Sequence, residues 1–321
     1  MAPDSVGKES LGRIVVFGFG SQGRAQAANL RDTGLNVSVF VRETSSRVSS
    51  ARESGIAVIT DPREAASRAE CAVVLIPDSE QPRFYKEALE PHLPKGAMLV
   101  FAHGFAIHYQ GIVPRPDLDC VLAAPLSHAD ALRSEFIKLR GVPCVVAVAQ
   151  DATGRARAKT EAYAHAICGA GPFIRSTFAE EVETDLFAEQ AVLCGGMPEL
   201  VRAAFDTLVE AGYNKEIAYV SCLRELRAIV DLMSRGAIAG MLGSVSDTAR
   251  YGAITRGPRV IGAPVREELK KVLTEIRSGQ FAEELAREKE AGFARLASLM
   301  RDATGHEIED VHEGFGSKGE R

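Results

Sequence analysis

Residues 13–23 read Arg13-Ile14-Val15-Val16-Phe17-Gly18-Phe19-Gly20-Ser21-Gln22-Gly23. A short β-branched apolar run enters a glycine loop, and the segment from Ser21 to about residue 33 carries helical spacing. Strand, glycine loop, helix is the context in which a GxGxxG pattern has physical meaning. Gly18 permits the tight turn, Gly20 lets the backbone approach a pyrophosphate, and Gly23 lets the helix pack close to the sheet. Ser21 and Gln22 open the helix, whose unpaired N–H groups and positive dipole end face an anion. This stretch predicts a dinucleotide-binding βαβ unit.

Working outward, similar apolar runs recur at 36–41, 56–59, 71–76, 98–102, 120–124 and 142–148, separated by helix-length segments. That alternation predicts a doubly wound, mostly parallel sheet covered by helices on both faces, a Rossmann domain. After about residue 176 the strand signal stops, and apolar residues recur at spacings near three and four, as in 192–208, 216–233 and 267–276. The expectation is an α/β domain over 1–180 followed by an all-helical domain over 181–321. The polar tail 301–321 is expected to be flexible, and the first ten residues to be a loose leader.

The 321 residues include 46% hydrophobic and 25% charged residues, an ordinary globular composition. The net charge of −5 argues against nucleic acid as a partner, since phosphate backbones recruit basic surfaces. No apolar run approaches the roughly 18 residues needed to span a membrane. The six cysteines form no CxxC pair, which predicts reduced thiols in a cytoplasmic protein and no cysteine-based zinc site.

The second strand ends in Phe40-Val41-Arg42-Glu43-Thr44-Ser45-Ser46-Arg47. An NAD site usually places an acidic residue here for the ribose hydroxyls. Arg42, Ser45 and Arg47 instead offer charge and hydroxyls to a 2′-phosphate, which predicts NADPH; Glu43 is the feature that keeps NADH open. Pro77-Asp78 and His103-Gly104 end two further strands, at the carboxyl edge where doubly wound sheets bind ligands. His103 is therefore the leading histidine candidate.

The segments GFGSQG, LIPDSEQ, FAHGFAIH, VETDLFAEQAVLCGG and LVEAGY…EIAYVSCLRELRAIVDL occur in order between about residues 12 and 280. Together they resemble ketol-acid reductoisomerases. The resemblance implies a Rossmann domain followed by a knotted helical domain of the short, class I type. It implies a homodimer with active sites shared between subunits. It also implies NADPH and two magnesium ions, an alkyl migration in a 2-hydroxy-2-methyl-3-oxo acid, and hydride transfer to the resulting ketone. Metal Lewis acids would stabilise alkoxide charge during migration, and magnesium takes hard carboxylate oxygens.

Carried over residue by residue, Asp185 and Glu189 match the first metal-binding pair. In the second pair Glu225 is present, but Ser221 stands where the family has glutamate. Leu126, in Ala124-Pro125-Leu126-Ser127-His128, stands where the family has its active-site lysine. His103 matches the active-site histidine and Ser246 the substrate-binding serine; Asp247 and Arg250 depart from the usual residues beside it, and Gly243 replaces a bulkier one.

These departures predict that hydride transfer persists while the magnesium-dependent migration is lost, with at most a single magnesium on Asp185 and Glu189. An iminium carbon is already cationic and needs no Lewis acid, and Asp185, Glu189 and Glu225 would favour the cation. The expected activity is an NADPH-dependent reductase of a C=N bond, in a cyclic imine or iminium, or of a C=O bond. The alternatives are a genuine ketol-acid reductoisomerase and a non-catalytic, NADPH-binding regulatory paralogue.

Overall fold

The computed structural model describes residues 11–318. The leader expected over the first ten residues lies outside them. The chain divides into two compact units, the first ending at Thr184 and the second beginning at Asp185, inside one helix.

In the first unit β1 (Ile14–Phe17) leads through the glycine loop into α1 (Ser21–Asp32). There follow β2 (Val37–Phe40), α2 (Val48–Glu53), β3 (Ala57–Ile59), α3 (Pro62–Arg68) and β4 (Cys71–Val74). A 3-10 turn (Asp78–Glu80), α4 (Gln81–Phe84) and a π-turn (Tyr85–Leu89) lead to β5 (Met98–Phe101) and α5 (Phe105–His108). Then come β6 (Asp119–Pro125), α6 (Ala129–Ile137), β7 (Cys144–Gln150), α7 (Ala156–Cys168), β8 (Phe173–Arg175) and α8 (Phe178–Ala188). Helix starts follow local chemistry: at α3, Asp61 accepts from the N–H groups of Arg63 and Glu64, and Pro62 takes the first helical position.

The sheet order is β3-β2-β1-β4-β5-β6-β7-β8. Side chains alternate between its faces. Ile14, Val16, Cys71, Val73, Met98 and Val100 pack under α1 and α7. Val15, Phe17, Ala72, Val74, Leu99 and Phe101 pack under α3 and the π-turn on the other face. All these residues are buried, which is why the strands read as unbroken apolar runs. Strands β1 to β6 are parallel, but β7 runs antiparallel to β6, with Cys144 opposite Pro125, and β8 pairs with β7 in parallel. The reversal follows from the link after α6, where Leu139 and Gly141 both adopt positive φ and fold the chain back to the edge it left. The short β8 is not legible as an apolar run, since Arg175 ends it and Ile174 is exposed.

The second unit begins on the last turn of α8 and continues through a π-turn (Glu189–Leu193), α9 (Gly196–Glu210), α10 (Lys215–Tyr219) and a further π-turn (Val220–Arg224). It ends in α11 (Leu226–Ser244), α12 (Asp247–Val260), α13 (Ala263–Ser278), α14 (Gln280–Glu290), α15 (Ala294–Thr304) and α16 (Glu307–Lys318). The 216–233 periodicity thus spans three elements. Helix α11 is broken at Gly236 and Ala237, the latter at φ 51°. Within the tail expected to be flexible, the described residues 301–318 are instead largely helical: Ile308 is buried, and Val311 and Phe315 pack with Phe205 and Tyr219. The polar character of the tail is that of one face, and its apolar residues at 308, 311 and 315 form the other. Beyond this small core many large apolar side chains are exposed, among them Val192, Leu200, Ile238, Tyr251 and Ile254. No single described helix is long and apolar enough to cross a membrane.

Candidate active site

The glycine loop lies between β1 and α1, beside the ends of β2 and β4. The Gly18 N–H donates to Phe40 O at 3.3 Å. Gly18 sits at φ +113°, and a Cβ there would lie 2.6 Å from Leu75 O. A Cβ on Gly23 would lie 2.1 Å from Gly18 O, so this glycine is what lets α1 start against the strand. Gly20 is different. A Cβ there would meet nothing within 4 Å except Arg47 Nη1 at 3.8 Å. The chain itself does not require glycine at position 20, and the open space stands over the N-terminus of α1, which no side chain caps. That space fits a pyrophosphate held by the N–H groups after Gly20. The Gln22 side chain is committed elsewhere, donating to Ser127 O at 3.1 Å, so only its backbone is available to an anion.

At the end of β2 the Ser45 N–H donates to Arg42 O, and the Arg47 N–H donates to Ser45 Oγ at 3.2 Å. This turn leaves Arg42 and Arg47 exposed, neither engaged in a salt bridge among the described residues. Arg47 reaches the rim of the glycine loop, as its distance to the Gly20 position shows. Glu43 is exposed in the same turn.

Asp78 follows β4, and His103 and Gly104 follow β5. They meet Glu181, which lies one turn before Asp185 on α8. His103 Nδ1 is 3.2 Å from Glu181 Oε1, and the Gly104 N–H donates to Glu181 Oε2 at 3.0 Å. Glu181 is only 7% exposed. One carboxylate therefore holds both the imidazole and the backbone behind it. Burial raises the Asp78 carboxyl above its ordinary value; nearby Glu181 adds to the rise and His103 opposes it. Gln81 Nε2 donates to Asp78 Oδ1 at 2.9 Å and pins it. Pro77 is the exposed residue that turns the chain into this cluster.

Glu181 is a residue that the sequence analysis does not single out, and the structure buries it against His103. The signal that could have found it is spacing: Glu181 and Asp185 stand four residues apart, so their side chains lie on one side of α8. Leu126, at the end of β6, is 51% exposed; its N–H donates to Pro143 O at 2.9 Å, extending the ladder.

In the second unit Asp185 and Glu189 are both exposed, and Glu189 opens a π-turn. Their oxygens are the hard donors that suit a magnesium ion. Ser221, inside the π-turn Val220–Arg224, and Glu225, just after it, are also exposed, and the Glu225 N–H donates to Val220 O at 3.1 Å. That pair offers one carboxylate and a neutral hydroxyl, a poorer donor set for a cation. Ser246 caps α12, its Oγ accepting from the Ala249 N–H at 3.2 Å. Arg250 locks this cap, donating to Leu242 O at 2.8 Å, Val245 O at 3.2 Å and Asp247 Oδ1 at 3.1 Å. The two departures at 247 and 250 are thus a matched pair. Gly243 is exposed near the end of α11, and a Cβ there would meet nothing within 4 Å.

Two family models cover nearly the whole chain. Residues 10–172 match the acetohydroxy acid isomeroreductase NADPH-binding domain, and residues 178–317 the ketol-acid reductoisomerase C-terminal domain. The chain belongs to the ketol-acid reductoisomerase family. It is accordingly an enzyme, an NADPH-dependent oxidoreductase. A ketol-acid reductoisomerase (NADP(+)) of Saccharopolyspora erythraea is 47% identical over 300 residues, covering 93% of this chain and 90% of the relative. The solved structure of an NADH-preferring ketol-acid reductoisomerase from an uncultured archaean superposes with a TM-score of 0.92 at 36% identity, covering 98% of this chain and 96% of that one. A pyrroline-5-carboxylate reductase from Coxiella burnetii, at TM-score 0.57 and 14% identity over 86% of this chain and 99% of that one, shares the fold alone.

Proposed function

We propose that this member of the family catalyses the full ketol-acid reductoisomerase reaction, converting a 2-hydroxy-2-methyl-3-oxo acid with NADPH to a dihydroxy acid. The observation that carries the reading is the His103–Glu181 pair at the carboxyl edge of the sheet, at 3.2 Å, with Asp185 and Glu189 following at four-residue spacing. The high identity to the Saccharopolyspora enzyme supports it. In this reading the loop from Gly18 to Gly23 holds the pyrophosphate, and Arg42, Ser45 and Arg47 hold the 2′-phosphate. Asp185 and Glu189 hold magnesium, which when bound supplies Lewis acidity for alkoxide charge. His103, kept in place by Glu181, holds or passes a proton at its Nε2, while Ser246 and Glu225 orient the substrate.

A second reading is favoured by Leu126 and Ser221, which take the places of a lysine and a glutamate in the family pattern. It is reduction without migration, on a cyclic imine or simple ketone. NADPH oxidation separates the two. Turnover of 2-acetolactate with magnesium supports the full reaction. Turnover only of the already migrated 3-hydroxy-3-methyl-2-oxobutanoate, or of 1-pyrroline, replaces it with the second reading. No turnover by protein that binds NADPH removes both.

The exposed apolar side chains of the second unit support a homodimer, in which a second copy covers them. We place the protein in the cytosol, in keeping with its free cysteines.

A further inference from the structure

We propose that the C-terminal helix α16 is a positioning clamp for the π-turn Val220–Arg224, with His312 and Phe315 as its positioning residues. The proposal deepens the reading above, because it rests on Glu225 facing the substrate.

A π-turn is a weak local structure and persists where its surroundings hold it. Here one helix grips both ends. Before the turn stands Tyr219, 1% exposed, whose hydroxyl is 2.6 Å from His312 Nδ1. Without that partner the hydroxyl would be an unpaired polar group in an apolar cluster. At the end of the turn the Arg224 guanidinium lies 5.3 Å from the centroid of the Phe315 ring, within cation–π reach. The same ring lies 5.7 Å from that of Tyr219. Inside the turn Val220 and Cys222 pack on the core that α16 completes with Ile308 and Val311. Ser221 and Glu225 are left exposed. The near end of α16 is tied down by Glu307, which pairs with Lys215, and by His306, 3.2 Å from Asp206.

The test uses the full chain with His312→Ala, His312→Gln, Phe315→Leu and, on the exposed side of the same helix, Glu313→Gln. Hydrogen–deuterium exchange over residues 219–226 reads the turn. Substrate KM, kcat and the NADPH dissociation constant read the site. For His312→Ala the expected result is faster exchange in that peptide and a substrate KM raised roughly fivefold, the size of one lost hydrogen bond. kcat and NADPH binding stay within error of the parent. Phe315→Leu behaves alike, and Glu313→Gln matches the parent. His312→Gln restores both readouts, since its amide can bond the Tyr219 hydroxyl in either sense. Unchanged exchange in His312→Ala overturns the clamp. Faster exchange with unchanged KM reduces α16 to a structural support and overturns its positioning role. Should the parent turn over none of the substrates above, the functional reading falls, and the exchange measurement alone decides the clamp.

Discussion

Replacing Gly20 and Gly23 by alanine, one at a time, should separate ligand space from packing space. At Gly23 the added methyl carbon would sit 2.1 Å from Gly18 O and 3.0 Å from Gly18 C, both backbone atoms that cannot swing aside. Overpacking of this kind costs about 1–3 kcal/mol, which lowers Tm by roughly 2–12 °C for a domain of this size. At Gly20 the methyl meets only Arg47 Nη1 at 3.8 Å. The backbone there, at φ −73° and ψ −165°, is open to alanine. Alanine caps a helix less well than glycine, by up to about 1 kcal/mol, while the stiffer unfolded chain returns about 0.4–1 kcal/mol. Stability should therefore hardly change. NADPH binding should weaken, because the methyl occupies the space through which the loop N–H groups reach the pyrophosphate. Losing one hydrogen bond to a charged group costs about 1.5–3 kcal/mol, or about 10- to 150-fold in Kd. Thermal unfolding without nucleotide and fluorescence titration with NADPH give the two numbers. A Gly20→Ala protein that binds NADPH like its parent, or that melts as early as Gly23→Ala, would refute the assignment of this space to the cofactor.

Three further outcomes are expected. Arg47→Ala should weaken NADPH more than NADH, by roughly tenfold in the ratio of dissociation constants if one charge-assisted bond to the 2′-phosphate is lost; an unchanged ratio in parallel titrations would place the phosphate elsewhere. Glu181→Ala leaves the Gly104 N–H unpaired in a buried position, costing about 1–3 kcal/mol in chemical denaturation, and removes the carboxylate contact to the His103 ring, so activity should fall by more than the lost stability explains. Fully buried Asp119 accepts from Lys159 Nζ at 2.9 Å and from the Thr153 N–H and Oγ1, and although burial opposes it, these bonds hold its carboxyl below the usual value. The stability this brings is fully present above about pH 4 and is lost as pH falls through the lowered folded value. Asp119→Ala should cost about 3–5 kcal/mol at neutral pH and show a shallower acid dependence of unfolding than the parent.

The glycine loop and the strands with both faces buried were legible because each is a local matter. Unbroken β-branched apolar runs and the backbone limits at Gly18 and Gly23 act between near neighbours, and the placing of Asp78 and His103 at strand ends follows from them. The helical character of the second unit was legible for the same reason. The direction of β7 was not, since it depends on two left-handed residues, Leu139 and Gly141, in an otherwise ordinary link. Nor was the order in the C-terminal tail, where the apolar face of α16 has value only because Tyr219 and Phe205 stand opposite it. The pairing of His103 with Glu181 joins residues 78 positions apart. Sequence by itself determined the strands β1 to β7, the helical character of the second unit and the glycine loop opening α1, because those depend on bonds and contacts within a few residues. Only the tertiary structure decided which carboxylate is buried against the histidine, how much room stands over Gly20, and what the last helix packs against. Those depend on distances between distant segments, which no local pattern encodes.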